Sequence, residues 1–235
     1  MIDIRTVEVT GSTNVDLLSS QLVGEVSEGF WLRAERQSAG RGRQGRLWVS
    51  PPGNFYGSTA VRLRPGDPPA PTLGFVAAVA LAEVVADQLT SAPMLKWPND
   101  LLIGNAKLSG ILLERAADTV VVGVGVNLAH HPALPDRRTT SMAAQGVEVD
   151  PGLFAMLLAD SFAAWLLRWR TEGFAPVRSA WLGRAHQPGT RLRATLPDDK
   201  AVEGLFEDLD AGGALILRLA SGERRAIHAG DVFLV

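Results

Sequence analysis

Alternation of apolar and polar residues predicts strands in the first part of the chain. Residues 1–10 alternate in this way, and residues 30–35 and 55–63 are further runs of side chains that favour strands. Ser12-Thr13-Asn14 offers N-cap side chains for a helix over residues 15–22. The chain is therefore predicted to begin with a strand, a helix and two more strands.

The middle of the chain combines helical and extended patterns. An apolar stretch of small and branched side chains predicts a long helix over residues 72–89. Gly104-Asn105 is a hairpin-turn signal between two arms, residues 101–103 and 107–114. The β-branched run over residues 119–127 predicts a strand that is buried on both faces.

Two more helices are predicted before the pattern changes. Asp150-Pro151 supplies an N-cap carboxylate and a first-turn proline for a helix over residues 151–173. A shorter helix is predicted over residues 176–182. We expect these helices to complete a first domain, residues 1–187.

The last part of the chain has the texture of a small β-domain. Beyond Pro188-Gly189, short strands alternate with tight turns that contain Gly, Asp or Pro. The predicted strands cover residues 191–196, 202–208, 214–219 and 225–227. Short strands at this spacing are typical of a small barrel, which we place at residues 188–235.

Composition narrows the possible functions. The 235 residues carry 23 Lys+Arg and 25 Asp+Glu, and a net charge of −2 argues against a protein that coats nucleic acid. The absence of Cys excludes disulfides, thiolate zinc sites and a cysteine nucleophile.

The N-terminus lacks a secretory signal pattern. The longest apolar run, residues 73–82, is far shorter than the ~20 residues that span a bilayer, so a cytoplasmic protein with no membrane association is expected.

A loop rich in glycine and arginine follows the second predicted strand. Residues 40–45 match the pattern G-x-G-x-x-G, but the prolines after it cannot begin the helix that a dinucleotide site requires. Arg41, Arg43 and Arg46 stand on a backbone kept slim by glycine, which suits an anion clamp. A solvated arginine loop is the alternative. Mutual repulsion of the arginines predicts that the loop is mobile until an anion binds.

A second candidate segment contains two of the three lysines of the chain. Lys96-Trp97-Pro98-Asn99-Asp100 joins a cation, an aromatic ring, a turn and a carboxylate. Asp100 could hold an arginine or a metal ion near phosphates. Lys107 begins a strand in which Gly110 leaves room for a flat group. The alternatives are an ordinary proline turn with a buried Trp97 and an exposed lysine on an edge strand.

Together these segments resemble the biotin protein ligase family. Five motifs occur in the family's order, at residues 12–14, 37–48, 96–100, 107–114 and 123–127, and the C-terminal pattern also matches. The resemblance implies an α+β fold: a mixed sheet flanked by helices, followed by a small SH3-like β-barrel. Because the first motif begins at Ser12, we expect no DNA-binding domain and no DNA partner.

The resemblance implies an ATP-dependent ligase. Biotin would be activated to biotinyl-5′-AMP with release of pyrophosphate, in the presence of Mg²⁺. It would then pass to a lysine of a biotin carboxyl carrier protein, the biotin-accepting part of an acetyl-CoA carboxylase. A lipoate–protein ligase and a binding module without catalysis are the competing hypotheses.

The resemblance also assigns residues. The catalytic cations would be Lys107, Arg41 and Arg43. Biotin would contact Ser12, Thr13, Asn14, Gln37, Gly40, Arg41, Lys107 and Gly110. ATP and the adenylate would contact Arg43, Arg46, Trp48, Asn99, Asp100, Gly125 and Asn127, with Asp100 as the candidate Mg²⁺ ligand.

Overall fold

The larger sheet of the protein is mixed, as predicted. The computed structural model describes residues 3–19, 27–135 and 137–234. The strands of this sheet are β1 (Asp3–Thr10), β2 (Phe30–Gln37), β3 (Phe55–Arg62), β4 (Pro93–Lys96), β5 (Asp100–Ile103), β6 (Ala106–Ala116) and β7 (Thr119–Val126). Their order is β1-β2-β3-β7-β6-β5-β4. The β1–β2 pair is parallel and the other pairs are antiparallel.

The β-branched strand β7 lies at the centre of this sheet, between β3 and β6. All its residues are buried except Gly125, which is partly exposed. Such a strand needs an apolar side chain on both faces, because other elements cover both faces. The predicted hairpin of β5 and β6 is also observed, with its turn at Gly104-Asn105.

Among the described residues, four α-helices cover the two faces of the sheet. They are α1 (Thr13–Leu18), α2 (Leu73–Ala86), α3 (Pro151–Glu172) and α4 (Phe174–Leu182). Leu113 of β6 lies against Gly74 of α2. The adjacent Leu112 pairs with Gly123, whose open face lies against Asn14 of α1. Helices α1 and α2 therefore pack on opposite faces of the sheet. Helix α2 is apolar on nearly every side because the sheet, α3 and α4 surround it.

Helix α3 begins with the predicted cap, in which the Asp150 side chain accepts a hydrogen bond from the Leu153 amide at 2.8 Å. Within the described residues it is the one helix long and apolar enough to cross a membrane by length and composition alone. Its buried face, with Phe154, Phe162 and Trp169, belongs to the protein core. This is the pattern of a core helix.

Several predicted boundaries differ from the observed ones. Helix α1 begins at Thr13 and ends at Leu18, and residues 20–22 of the prediction lie outside the described residues. Helix α2 ends at Ala86 instead of continuing to residue 89. Strand β4 was not predicted, because it is short and begins with Pro93; as an edge strand it tolerates a proline.

The C-terminal region forms a second sheet, which is antiparallel. Its strands are β8 (Arg191–Thr195), β9 (Ala201–Leu209), β10 (Leu215–Arg218), β11 (Arg224–Ile227) and β12 (Asp231–Leu234), in the order β11-β10-β9-β8-β12. Strand β12 was not predicted as a strand. The described residues show no pairing of β11 with β12, so the expected barrel is observed as a five-stranded sheet.

The second sheet is joined to the first part of the protein. Trp97 donates its indole N–H to the Gly213 carbonyl at 3.0 Å, and one apolar core extends across both parts. Trp97 is buried there, as expected from the alternative in which it is part of an ordinary proline turn. The domain boundary near Gln187 stays a prediction; the residue lies between α4 and β8.

Candidate active site

A cavity of about 290 Å³ opens on the α1 side of the larger sheet. The N-terminus of α1, the arginine-rich loop after β2, strands β3, β6 and β7 and the start of β12 all contribute to its wall. Of the residues that the sequence assigned to a site, all line this cavity except Gly40. Gly40 lies behind the wall, where a Cβ would come within 2.6 Å of the Trp48 carbonyl oxygen. The five motifs therefore meet in one place.

The inner end of the cavity is polar and well organised. Ser12, Thr13 and Asn14 are all buried there. The Thr13 amide donates to Gln37 Oε1 at 2.9 Å, and the Gln37 amide nitrogen donates to Ser50 Oγ at 3.2 Å. These bonds join the start of α1 to the end of β2.

The expected side-chain cap of α1 does not form. Ser12 occupies the N-cap position, but its side chain makes no capping hydrogen bond. The Thr13 and Asn14 side chains turn instead to Ser58 of β3. Their hydrogen-bonding groups therefore serve the cavity rather than the helix end.

Lys107 lies inside the cavity wall and not on a sheet edge, since β6 runs between β5 and β7. Its Nζ is 2.5 Å from Asp100 Oδ1, and it lies 5.5 Å from the centre of the Trp48 ring. Both side chains of the ion pair are largely buried, at 15% and 12% exposed. A register shift in the β5–β6 ladder lies between Leu101 and Leu102, beside this pair.

The arginine loop reaches the same place from the other side. Arg43 Nη1 lies 3.4 Å from Asn99 Oδ1, to which it donates. The same nitrogen donates to the Gly230 carbonyl at 3.3 Å. Burial lowers the pKa of Arg43 although the carboxylates of Asp231 and Asp100 oppose this shift. The loop and the Lys-Trp-Pro-Asn-Asp segment therefore converge, as the anion-clamp hypothesis requires.

Asp231 of the second sheet pairs with two arginines of this loop. It lies 3.5 Å from Arg43 and forms a close ion pair with Arg46. Burial alone would raise the pKa of Asp231, but the hydrogen bond from Arg46 and the two positive charges outweigh it and lower that pKa. Asp231 was not assigned to the site from the sequence, because its partners lie far away along the chain.

Trp48 lies across two glycines. Gly110 and Gly125 are direct partners in the β6–β7 ladder, and a Cβ on them would come within 3.1 Å and 2.6 Å of the Trp48 ring. Two paired glycines thus form a flat platform for the ring. The Trp48 indole nitrogen is buried and has no hydrogen-bond partner in the described part of the chain.

Two further polar residues, Asn99 and Asn127, belong to the wall, and Lys96 lies outside the cavity lining. Asn99 donates to the Ile111 carbonyl at 2.6 Å, which holds its oxygen towards Arg43. Asn127 donates to the Thr140 carbonyl at 2.9 Å. Lys96 lies 5.0 Å from the centre of the Phe233 ring, and burial lowers its pKa.

Metal-ligand chemistry is sparse at this site. The described residues contain no group of three or more His, Asp or Glu side chains that could hold a metal ion. Asp100, the candidate Mg²⁺ ligand, directs one oxygen at Lys107. Its assignment to a metal stays a prediction.

Residues that the sequence did not single out also contribute to the site. Ser58 is fully buried and links Thr13 to Asn14. Tyr56 lines the cavity, and burial raises its pKa above the usual range. Ser58 and Tyr56 lie within a predicted strand, but only the position of α1 above β3 reveals their role.

The chain matches models of known protein families over most of its length. Residues 6–127 match the biotin/lipoate A/B protein ligase family, and residues 189–235 match the biotin protein ligase C-terminal domain. A biotin–acetyl-CoA-carboxylase ligase from Paracoccus denitrificans is 42% identical and covers 95% of this chain and 97% of its own length. A ligase of the same name from Mycobacterium tuberculosis is 36% identical, with 97% and 88% covered.

Solved structures agree on the fold. The biotin protein ligase from Aquifex aeolicus in complex with biotin and ATP matches with a TM-score of 0.86 and 23% identity. The match covers 99% of this chain and 98% of that one. At this identity the likeness concerns the fold alone.

Proposed function

The chain belongs to the biotin/lipoate A/B protein ligase family, and we propose that it is an ATP-dependent biotin–acetyl-CoA-carboxylase ligase. Biotin and ATP are its substrates, and the acceptor is the biotin-accepting subunit of a carboxylase. One observation carries the proposal: Lys107 and Arg43, from separate segments, reach one cavity whose inner end is lined by polar side chains. We place the reaction in the cytoplasm.

The first step joins two anions. A biotin carboxylate oxygen attacks the α-phosphorus of ATP, and the bond to the β-phosphate oxygen breaks, which releases pyrophosphate. Fixed cations lower the barrier by meeting negative charge as it develops. We assign this role to Lys107, Arg41 and Arg43. Lys107 is a compact donor that is held in place by Asp100, whereas the arginines offer planar forks for phosphate oxygens.

The polar end of the cavity suits the ureido ring of biotin. That ring carries N–H donors and a carbonyl acceptor, and small-ligand sites fix such groups with a few placed polar side chains in an apolar wall. We assign this end to Ser12, Thr13, Asn14 and Gln37. Gly40 shapes the wall behind them, and Gly110 leaves space beside Lys107.

The nucleotide is assigned to the outer part of the cavity. The Trp48 ring, which lies on the platform of Gly110 and Gly125, suits a base, since stacking needs only a π-face. Arg46, Asn99 and Asp100 would face the phosphates. Asn127 stands beside the adenine by resemblance, although its amide nitrogen is bound to the Thr140 carbonyl.

Mg²⁺ is proposed as an ion that arrives with ATP. Mg²⁺ commonly takes one or two carboxylates and completes its shell with phosphate oxygens and water. The single carboxylate of Asp100 beside Asn99 fits that pattern better than a resident metal site. When bound, the ion would neutralise phosphate charge.

In the second step the acceptor lysine takes the acyl group. Its amine nitrogen attacks the acyl carbon of biotinyl-5′-AMP and loses a proton, and AMP leaves as the carbon–oxygen bond breaks. We propose that the acceptor is a biotin carboxyl carrier protein and that Asp100 lies nearest to the incoming amine. Neither DNA nor a membrane is needed for these steps.

The proposal is tested by incubating the protein with biotin, ATP, Mg²⁺ and a carrier domain. We expect a mass increase on the carrier lysine that corresponds to one biotinyl amide. A parallel reaction with lipoate separates the two substrate classes, because lipoate has no ureido ring to satisfy the polar end. Binding of biotin without pyrophosphate release would favour a non-catalytic binding module and would overturn the proposal.

A further inference from the structure

We propose that Glu114 is a positioning residue that sets the direction of a hydrogen-bond relay at the polar end of the cavity. Through this relay, Thr13 presents an acceptor to the bound ligand and not a donor. The inference rests on the proposed function, because it concerns the ring of biotin at that end. Glu114 has no place in the reaction steps above and does not line the cavity.

The relay crosses three elements of the fold. Glu114 Oε2 accepts from Asn14 Nδ2 at 2.8 Å. Asn14 Oδ1 lies 2.6 Å from Ser58 Oγ, and Ser58 Oγ lies 2.6 Å from Thr13 Oγ1. Asn14, Ser58 and Thr13 are all buried, whereas Glu114 is partly exposed. Only Thr13 and Asn14 reach the cavity.

The direction of each bond follows from Glu114. A carboxylate only accepts hydrogen bonds, so the amide nitrogen of Asn14 must face it. The Leu112 carbonyl, 3.4 Å from the same nitrogen, also only accepts and reinforces this orientation. The Asn14 oxygen therefore faces β3, which settles an amide orientation that geometry alone leaves open.

The hydroxyl groups follow in turn. Since Asn14 Oδ1 can only accept, Ser58 donates its one hydroxyl proton to it. Ser58 Oγ is then the acceptor for the Thr13 hydroxyl. The Thr13 hydroxyl lies 2.6 Å from Ser58 Oγ and 3.2 Å from Gln37 Oε1, which also accepts from the Thr13 amide at 2.9 Å. Both contacts use the Thr13 proton within the protein. A lone pair of Thr13 Oγ1 remains for the ligand.

The packing keeps Asn14 in this arrangement. Gly123 of β7 lies directly beneath its side chain, where a Cβ would come within 2.1 Å of Asn14 Oδ1. Glycine at this position thus admits the Asn14 amide between α1 and the sheet. The Glu114 carboxylate and the close packing against Gly123 together fix the orientation of the Asn14 amide.

A ligand complementary to this end must bring an N–H donor. The ureido ring of biotin carries two, whereas the dithiolane ring of lipoate carries none. Sites with buried polar groups strongly reject analogues that leave those groups unpaired. Glu114 therefore contributes to the choice between these two acids although it does not touch either.

The test compares Glu114→Leu with a matched control, Glu83→Leu. Glu83 accepts from Trp165 Nε1 at 2.7 Å and from Ser161 at 3.2 Å on the opposite side of the sheet. It is thus also a carboxylate in a side-chain network, but remote from the cavity. Steady-state KM for biotin, KM for ATP and melting temperature are measured for each.

We expect Glu114→Leu to raise KM for biotin about tenfold, with KM for ATP unchanged. Glu114→Gln retains an acceptor oxygen and should stay near the wild type. Glu83→Leu should lower the melting temperature and leave KM for biotin unchanged. An unchanged KM for biotin in folded Glu114→Leu, or an equal rise in Glu83→Leu, would overturn the inference.

A role swap provides a second test that does not need the leucine variant to fold. Asn14→Asp places two carboxylates face to face and should raise KM for biotin. In the double variant Asn14→Asp/Glu114→Gln, the amide at position 114 donates to the carboxylate at position 14. That carboxylate still accepts from Ser58. The double variant should therefore recover most of the loss in KM for biotin. Absence of recovery contradicts the relay. A wild-type protein that turns over no biotin would instead refute the proposed function.

Discussion

The Lys107 ammonium is held by two neighbours before any substrate arrives. Asp100 lies 2.5 Å away, and the Trp48 ring faces it at 5.5 Å. Such a fixed donor needs little reorganisation when negative charge develops beside it. Its partner Asp100 is 12% exposed, so it is costly to leave alone.

Lys107→Ala is expected to reduce the rate of biotinyl-5′-AMP formation by about 10²–10³-fold. The melting temperature should fall much less, and the additional change Asp100→Asn should recover part of that fall. Pyrophosphate release and thermal unfolding measure the two effects. Equal losses of rate and stability would favour a purely structural role for the lysine.

Gly125→Ala is expected to weaken ATP binding. Its Cβ would come within 2.6 Å of the Trp48 ring and push the ring off its platform. We expect KM for ATP to rise about tenfold or more, the range of a lost base stack. Gly74→Ala is the control, because its Cβ would meet only Leu113 at an ordinary 3.5 Å. A KM for ATP that is the same in both variants would contradict the role of the platform.

The sequence predicted which residues meet at the cavity, and their roles in binding and catalysis stay predictions. Motifs such as Lys107 with Gly110 carry their chemistry in the local sequence, and all predicted residues but Gly40 line the cavity. Ser58, Glu114 and Asp231 were missed because their importance depends on which side chains lie across from them. No local pattern encodes such pairs.

Hydrogen bonds within its own backbone shape the arginine-rich loop. Gly42 donates to the Arg46 carbonyl at 2.7 Å, and Trp48 donates to the Gly40 carbonyl at 2.9 Å. Gln44 adopts a positive φ of 57° at its tip. Asp231 supplies the negative charge that relieves repulsion between Arg43 and Arg46.

Trypsin cleavage at this loop is expected to slow when biotinyl-5′-AMP is bound. The phosphate adds an anion to a site that Asp231 only partly neutralises, and this should lower the mobility of the loop. Time-resolved mass spectrometry of the cleavage products measures the effect. Identical cleavage rates with and without the ligand would count against the loop as an anion clamp.

The sequence predicts best the elements in which a long run of apolar residues follows a single periodicity. Strand β7 and helix α3 show this, because a β-branched run and a capped amphipathic stretch each favour one structure. Strands β4 and β12 have four residues each, too few to show a clear alternation. Strand β4 begins with a proline, although it pairs with the neighbouring β5, and β12 pairs with the distant β8.

The whole molecule brings its second sheet to the edge of the cavity. Strand β12 begins at Asp231, which holds two arginines of the loop after β2. The shared apolar core and the Trp97 hydrogen bond fix the two parts relative to each other. The C-terminal sheet is therefore part of the cavity wall.

Asp231→Asn is expected to loosen this connection and lower the melting temperature at neutral pH. The native pKa of Asp231 lies below its ordinary value of 3.8, so its contribution is present above that pH and is lost as the pH falls through the lowered pKa. The difference in melting temperature between variant and wild type should therefore shrink below about pH 4. A difference that is independent of pH would contradict the ion pair.

Whether Lys107 and Arg43 act on one transition state can be measured by a double-mutant cycle on pyrophosphate release. Lys107→Ala, Arg43→Ala and the double variant are compared with the wild type in the presence of biotin and ATP. Groups that act as a unit give strongly non-additive losses. We predict that the double variant loses much less than the product of the two single losses. Losses that multiply would show that the two cations act independently and would contradict their convergence on one reaction.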